Sequence, residues 1–398
     1  MPKAIDLVFF DAGGGHRSAA TALKQVMEQQ DRDWTVRLVN LQEVLAPLDL
    51  FRKLTGIAAE DVYNLFLKRG WTWGSPQILR AIHVLIRLYH PRQVAILKKH
   101  WLQTQPDLLV SLIPNFNRAL FQSLAQAQPS APMVTILTDM ADYPPHFWME
   151  RQPQSFVCGT AKAVDQALAM GHVASRVFRT SGMILHPRFY EPVTIDRRAE
   201  RERLGLHPDL PTALVLFGGH GSKAMYQIAS LLSQSGLKLQ LLMLCGHNAK
   251  LATKLQAMSG RMPIHVESFT REVPRLMHLA DFFIGKPGPG SLSEAMAMKL
   301  PVIVEHNSWT MAQERYNAEW VQQQGVGLVV HSFNKIADAV KEMLEPANYA
   351  RFRTAVEQQK IRAVFEIPDI LQSLLAQATQ RQSHAGGDDA GHRAPSCF

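Results

Sequence analysis

Three glycine-rich turns in this 398-residue chain carry side chains able to do chemistry. The first is Gly13–Gly14–Gly15–His16–Arg17–Ser18. An imidazole titrates near neutrality and can take a proton from an attacking hydroxyl. Gly14 and Gly15 let the backbone come close to a ligand there. The second turn is Gly218–Gly219–His220–Gly221–Ser222, and the third is Lys286–Pro287–Gly288–Pro289–Gly290–Ser291 with Glu294 one turn further on. Peptide N–H groups converging at a helix start suit an anion, and a carboxylate one turn inside suits ribose hydroxyls. Gln313 and Asn317, at i and i+4, share a helix face, and paired amides suit sugar hydroxyls. Asp139 ends a strand and has two functional roles open to it, catalytic base or orienter of His16 or of the acceptor. Each feature also has a plain structural reading: a turn for the glycines, a helix-dipole acid for Glu294, polar side chains facing solvent for Gln313 and Asn317, and a turn cap for Asp139.

The spacing separates these turns from the best-known nucleotide motifs. None is G-x-G-x-x-G, and no Lys-Ser/Thr pair closes the first as a P-loop. No Asp-x-Asp stands in a donor-side loop, so metal-assisted diphosphate binding is not indicated and no metal site is expected. Cys158, Cys245 and Cys397 are scattered and odd in number, which indicates neither a zinc site nor a disulfide framework.

Strands that alternate with helices must position these turns. Ile5–Phe10, Thr35–Val39, Asp107–Leu112, Met133–Leu137 and Val177–Arg179 read as strands of one series, with a helix from about Ser18. Ala213–Phe217, Leu239–Leu244, Ile264–Glu267, Phe282–Ile284, Val302–Val304 and Gly327–Val330 read as a second. The pattern predicts an α/β chain of two Rossmann-like domains with parallel sheets facing across a cleft. The expected domains are residues 1–190 and 191–379, joined by a Pro-containing linker at Pro187–Pro192. A polar tail over 380–398 reads as disordered.

The formal charge of +8 points to an anionic partner. Between Phe51 and Gln105 nine basic residues face two acids, Glu60 and Asp61. Lys68, Arg69, Trp71 and Trp73 stand in this segment among Leu, Ile and Phe. Tryptophan favours the membrane interface, and each Lys or Arg near an anionic surface contributes about 1 kcal/mol. A core helix with solvated charges is the plain alternative, and no recognised nucleic-acid fold surrounds the segment. No run reaches the length of a membrane span and the N-terminus lacks a signal-peptide core. Any membrane contact is expected to be peripheral, from a cytoplasmic location.

Taken together, the quoted runs resemble the monogalactosyldiacylglycerol synthases, lipid glycosyltransferases of the two-domain GT-B fold related to the lipid-linked N-acetylglucosaminyltransferase of peptidoglycan synthesis. The likeness rests on DAGGGHRSAATAL (Asp11–Leu23), LKRGWTWGSPQ (Leu67–Gln77), QPDLLVSLIP (Gln105–Pro114) and TDMADYPPHFW (Thr138–Trp148). It continues through CGHNAKL (Cys245–Leu251), KPGPGSLSEAMAMKLPVI (Lys286–Ile303) and QERYN (Gln313–Asn317). The chain departs from the family pattern at Ile113, where a His is common, at His220, where an acid is common, and at Asn307–Thr310, which lacks a Pro-Gly before Gln.

The resemblance implies a transfer of hexose, with inversion, from a UDP-sugar to a lipid such as diacylglycerol at the inner face of the cell membrane. It makes His16, with Asp139, the catalytic candidates. Gly218, Gly219, Gly221 and Ser222, with Gly288, Gly290 and Ser291, become the diphosphate cradle. Phe269 and Thr270 become the uracil-reading backbone, Glu294 the ribose ligand, and Gln313 and Asn317 the sugar contacts. Lys68, Arg69, Trp71 and Trp73 become the docking residues. The UDP-sugar is expected as co-substrate, with no tightly bound cofactor and no nucleic-acid partner. Two other readings fit the same turns: a nucleotide-sugar 2-epimerase or other GT-B enzyme, and an idle lipid- or nucleotide-binding protein.

Overall fold

The computed structural model describes residues 2–11, 15–48, 75–258 and 262–388; at 75–85 and 381–388 it describes the backbone alone. These residues form two compact units. One is built on the chain before residue 49, Gln77–Ser181 and the chain from Arg362, and the other on Gly182–Ile361.

The first unit holds β1 (Lys3–Phe9), β2 (Trp34–Asn40), β3 (Leu108–Ser111), β4 (Met133–Ile136), β5 (Ser155–Cys158) and β6 (Val177–Arg179). All pair in parallel, in the order β2-β1-β3-β4-β5-β6. Ile5 stands level with both Val36 and Leu108. β3, β4 and β5 are buried throughout, which is why they read as short apolar runs without alternation. Trp101 and Trp148 are wholly buried in this unit.

The second unit repeats the scheme with β7 (Thr212–Leu216), β8 (Gln240–Leu244), β9 (Ile264–Glu267), β10 (Phe282–Gly285), β11 (Val302–Glu305) and β12 (Gly327–Val330). The order is β12-β11-β10-β7-β8-β9, again all parallel. In open α/β sheets ligands lie beyond the carboxyl ends of the strands where the order reverses. In the first sheet that point is between β1 and β3, and in the second between β7 and β10. The three glycine turns follow β1, β7 and β10.

The expected boundary near residue 190 is displaced. The chain leaves the first unit at Ser181 and returns to it at Arg362. The two crossings run side by side: Arg362 N–H donates to the Ser181 carbonyl at 2.8 Å, and Ser181 N–H donates to Glu366 Oε2 at 2.8 Å. The final helix, Ala363–Asp388, buries Val364, Ile367 and Leu371, and its Asp369 pairs with Arg32. Sequence order placed this helix with the second half, but its apolar face belongs to the first unit. Residues 380–388, expected in a disordered tail, continue that helix, and the rest of the tail lies outside the described residues. Among the described residues, no helix is long and apolar enough to cross a membrane.

Candidate functional site

In the first unit the helix after β1 runs Gly15–Gln29, starting three residues before the expected Ser18. His16 is therefore its second residue, on the first turn rather than in the loop. Its Nδ1 lies 3.1 Å from Thr138 Oγ1, at the end of β4. Burial pushes the ring's pKa down to about 4, and a hydrogen bond to the Leu112 carbonyl offsets part of the fall. The imidazole is accordingly neutral at pH 7, the state a proton acceptor requires. Trp148 lies beside it, ring centroids 5.9 Å apart and tilted by 54°.

Asp139 is fixed through the same tryptophan, whose indole Nε1 donates to Asp139 Oδ2 at 2.9 Å. The loop from Thr138 to Trp148 is held by a buried carboxylate. Asp142 accepts from the N–H groups of His146 at 3.0 Å and Trp148 at 2.6 Å. Burial raises the Asp142 pKa, and these N–H donors oppose the rise. The buried Asn117 ties both segments, donating to the carbonyls of Ile113 at 3.0 Å and Trp148 at 2.9 Å. His16, Thr138, Asp139 and Trp148 thus form one connected group at the carboxyl ends of β1, β3 and β4.

In the second unit the turn after β7 is tightly built. Gly221 has φ +60°, and a methyl there would meet the Cys245 carbonyl oxygen at 3.1 Å. Ser222 caps the helix Lys223–Gln234, its hydroxyl accepting from Ala224 N–H at 3.2 Å. The turn after β10 is left uncapped. The helix Pro289–Ala297 has Gly288 at its N-cap, with no side-chain oxygen to occupy its first-turn N–H groups. Pro289 brings no N–H, and those of Gly290 and Ser291 have no acceptor within the helix. Of the two turns, the third therefore offers the stronger anion site.

Glu294 sits one turn into that helix. Burial raises its pKa to about 7, with the Arg188 guanidinium pulling it back. Gln313 is half-buried, its Nε2 3.6 Å from Met311 Sδ. Asn317 is wholly buried, and its Nδ2 donates to the Pro287 carbonyl at 2.7 Å. It holds the third turn from beneath instead of sharing an exposed face with Gln313. Phe269 is 55 % exposed and stacks on His247, ring centroids 4.1 Å apart with planes 16° apart. The Thr270 hydroxyl accepts from Glu272 N–H at 3.0 Å. Gly14, Lys68, Arg69, Trp71 and Trp73 lie outside the described residues.

Four contributors were not assigned from the sequence: Thr138, Trp148, Arg188 and Lys286. Thr138 and Lys286 carried a usable signal, since each stands at the carboxyl end of a strand, Thr138 next to Asp139 and Lys286 two residues before Gly288. Trp148 ends the Thr138–Trp148 run that carries the resemblance, but nothing in that run assigns it a role, and Arg188, in the short 3-10 helix Pro187–Phe189, carried no signal.

Residues 212–373, which include both glycine turns of the second unit, match the model for the glycosyltransferase family 28 C-terminal domain. The second unit thus carries a family 28 glycosyltransferase C-terminal domain, and the chain has the GT-B fold. Its similarity to a probable chloroplastic monogalactosyldiacylglycerol synthase from Glycine max is 28 % identity, covering 94 % of this chain and 72 % of that protein. The synthase from Spinacia oleracea is likewise 28 % identical, over 94 % of this chain and 73 % of that protein. Among solved structures, MurG of Acinetobacter baumannii matches with a TM-score of 0.62 at 14 % identity, over 94 % of this chain and all of MurG. A UDP-GlcNAc 2-epimerase from Neisseria meningitidis, solved with UDP-GlcNAc, matches at 0.59 and 14 %, over 94 % and 100 %. These structural likenesses carry the fold. The sequence likeness relates the chain to monogalactosyldiacylglycerol synthases.

Proposed function

We propose that this glycosyltransferase moves a hexose, galactose first among the candidates, from its UDP-sugar to the hydroxyl of a lipid such as diacylglycerol, with inversion, at the inner face of the cell membrane. The observation that carries the donor half is the uncapped start of the helix Pro289–Ala297, with Glu294 one turn behind. The diphosphate accepts from the Gly290 and Ser291 N–H groups, and the positive end of the helix dipole faces it. The Glu294 carboxylate accepts from ribose hydroxyls. Gln313 faces the sugar, and the exposed Phe269 edge with Thr270 borders the base. Donor binding on peptide dipoles needs no metal.

In the first unit the neutral His16 takes the proton of the attacking hydroxyl. The Thr138 hydroxyl fixes the ring, and Asp139, held by Trp148, orients the acceptor. The acceptor oxygen bonds to the anomeric carbon as the bond to the diphosphate oxygen breaks, and UDP leaves with the electron pair. The relatives' names supply the lipid and the galactose; the basic, Trp-containing stretch Lys68–Trp73 supplies the membrane.

Purified protein is to be incubated with UDP-galactose, UDP-glucose or UDP-GlcNAc and diacylglycerol vesicles, and the products read by mass spectrometry and anomeric NMR. A β-linked monohexosyl diacylglycerol, formed equally in EDTA, is the expected result. A free epimerised sugar nucleotide, or an α-linked product from the α-linked donor, overturns the proposal.

A further inference from the structure

Lys286 opens the third turn, directly behind β10. Its Nζ lies 2.7 Å from Glu314 Oε1. The Glu314 side chain is 8 % exposed and that of Lys286 39 %. A carboxylate this deep is costly without a partner, so Glu314 holds the ammonium in place. The lysine's end lies over the backbone of both donor-side turns. A methyl on Gly288 would meet Lys286 Cε at 3.4 Å and Nζ at 3.8 Å, and a methyl on Gly218 would meet Cε at 3.9 Å. The two strands behind these turns, β7 and β10, are neighbours at the reversal of strand order. The buried Asn317 braces the loop between, through the Pro287 carbonyl. A half-exposed cation is thus anchored by a buried carboxylate, beside the glycines of both turns.

We propose that Lys286 is a catalytic residue that neutralises the charge developing on the departing diphosphate, and that Glu314 is the positioning residue that aims it. The proposal rests on the donor reading given above. As the anomeric bond breaks, its electron pair passes to the diphosphate oxygen. UDP therefore carries one more negative charge than the same group within UDP-hexose. A fixed cation beside that oxygen binds the product group more strongly than the ground state, and this difference is what lowers the barrier.

The test compares binding of uridine, UDP and UDP-galactose by calorimetry, alongside steady-state kinetics. Lys286→Gln removes the charge and keeps a hydrogen-bond donor for Glu314, and a thermal melt reports folding. The expected result is UDP affinity down at least ~10-fold, UDP-galactose affinity down less than ~3-fold, uridine unchanged, and kcat down about 100-fold. Lys286→Arg should recover most of the turnover, and Glu314→Gln should narrow the gap between UDP and UDP-galactose. Equal losses for all three ligands, or no loss, would make the pair a structural tie and overturn the proposal. Wild-type protein that binds neither UDP nor UDP-galactose overturns the donor reading itself.

Discussion

Thr138 Oγ1 lies 3.1 Å from His16 Nδ1, so a hydroxyl from the end of β4 occupies the imidazole nitrogen on that side. A base that must point its other nitrogen at a substrate needs such a partner to fix its tautomer and ring angle. His16→Ala is expected to lower turnover at least ~100-fold, the usual scale of a lost general base. UDP affinity, measured by calorimetry, should stay the same. Thr138→Val should lower kcat about 10-fold without changing donor KM, and Thr138→Ser should restore it. Full activity in His16→Ala would remove the residue from the mechanism.

The buried Glu294 carboxyl, raised to about 7, gives the pH dependence of donor binding a definite sign. The carboxylate accepts from ribose hydroxyls more strongly than the neutral acid does, so donor KM should fall as pH rises through about 7. His16, at about 4, is already neutral across that range and contributes no limb there. The stability effect runs the other way. A folded pKa above the unfolded one means that ionisation favours unfolding. The destabilisation is absent below about 4.5 and complete above about 7. Glu294→Gln should therefore abolish the KM change and raise Tm at pH 8 but not at pH 4.5. A KM that stays flat from pH 6 to 8 in the wild type would contradict this.

Asn317 separates two roles by stability. A contact to the sugar would make Asn317→Ala lose discrimination between UDP-hexoses at unchanged Tm. Its bond to the Pro287 carbonyl predicts a different outcome: affinity for every UDP-hexose, and for UDP, falls together, and Tm drops with it. Losing one buried hydrogen bond costs about 1 kcal/mol or more, since the carbonyl is left without its donor. Competition assays with three sugar nucleotides, beside a thermal melt, distinguish the two.

The basic segment makes its own prediction. Each cation near an anionic surface contributes about 1 kcal/mol, and salt screens it. Sedimentation with phosphatidylglycerol vesicles should show binding that weakens steeply between 50 mM and 500 mM salt. Lys68→Glu with Arg69→Glu should release the protein while sparing its affinity for UDP. Binding that ignores salt would argue against electrostatic docking.

Much of the fold was legible because its strands are short buried runs punctuated by glycine turns, and parallel sheets produce that pattern. The helix start at Gly15 was not, since glycine ordinarily argues for the loop and only the backbone position settled it. The return of Ala363–Asp388 to the first unit was hidden as well, because an amphipathic helix does not name the sheet it covers. Within the site, glycine turns, His16 and Glu294 stood out by residue type. Asn317 shared a helical face with Gln313 on paper, yet a one-turn 3-10 segment, Ala312–Glu314, precedes its helix and changes the phase between them. Trp148 reaches His16 through an irregular loop, and Arg188 reaches Glu294 from the short 3-10 helix Pro187–Phe189, where spacing carries no information about direction.

The most direct test of the donor site is a crystal structure of the protein with UDP. Both phosphates should lie within hydrogen-bond reach of the Gly290 and Ser291 N–H groups, with the ribose hydroxyls on Glu294. A nucleotide seated anywhere else, with the start of the helix Pro289–Ala297 facing only water, would contradict the account.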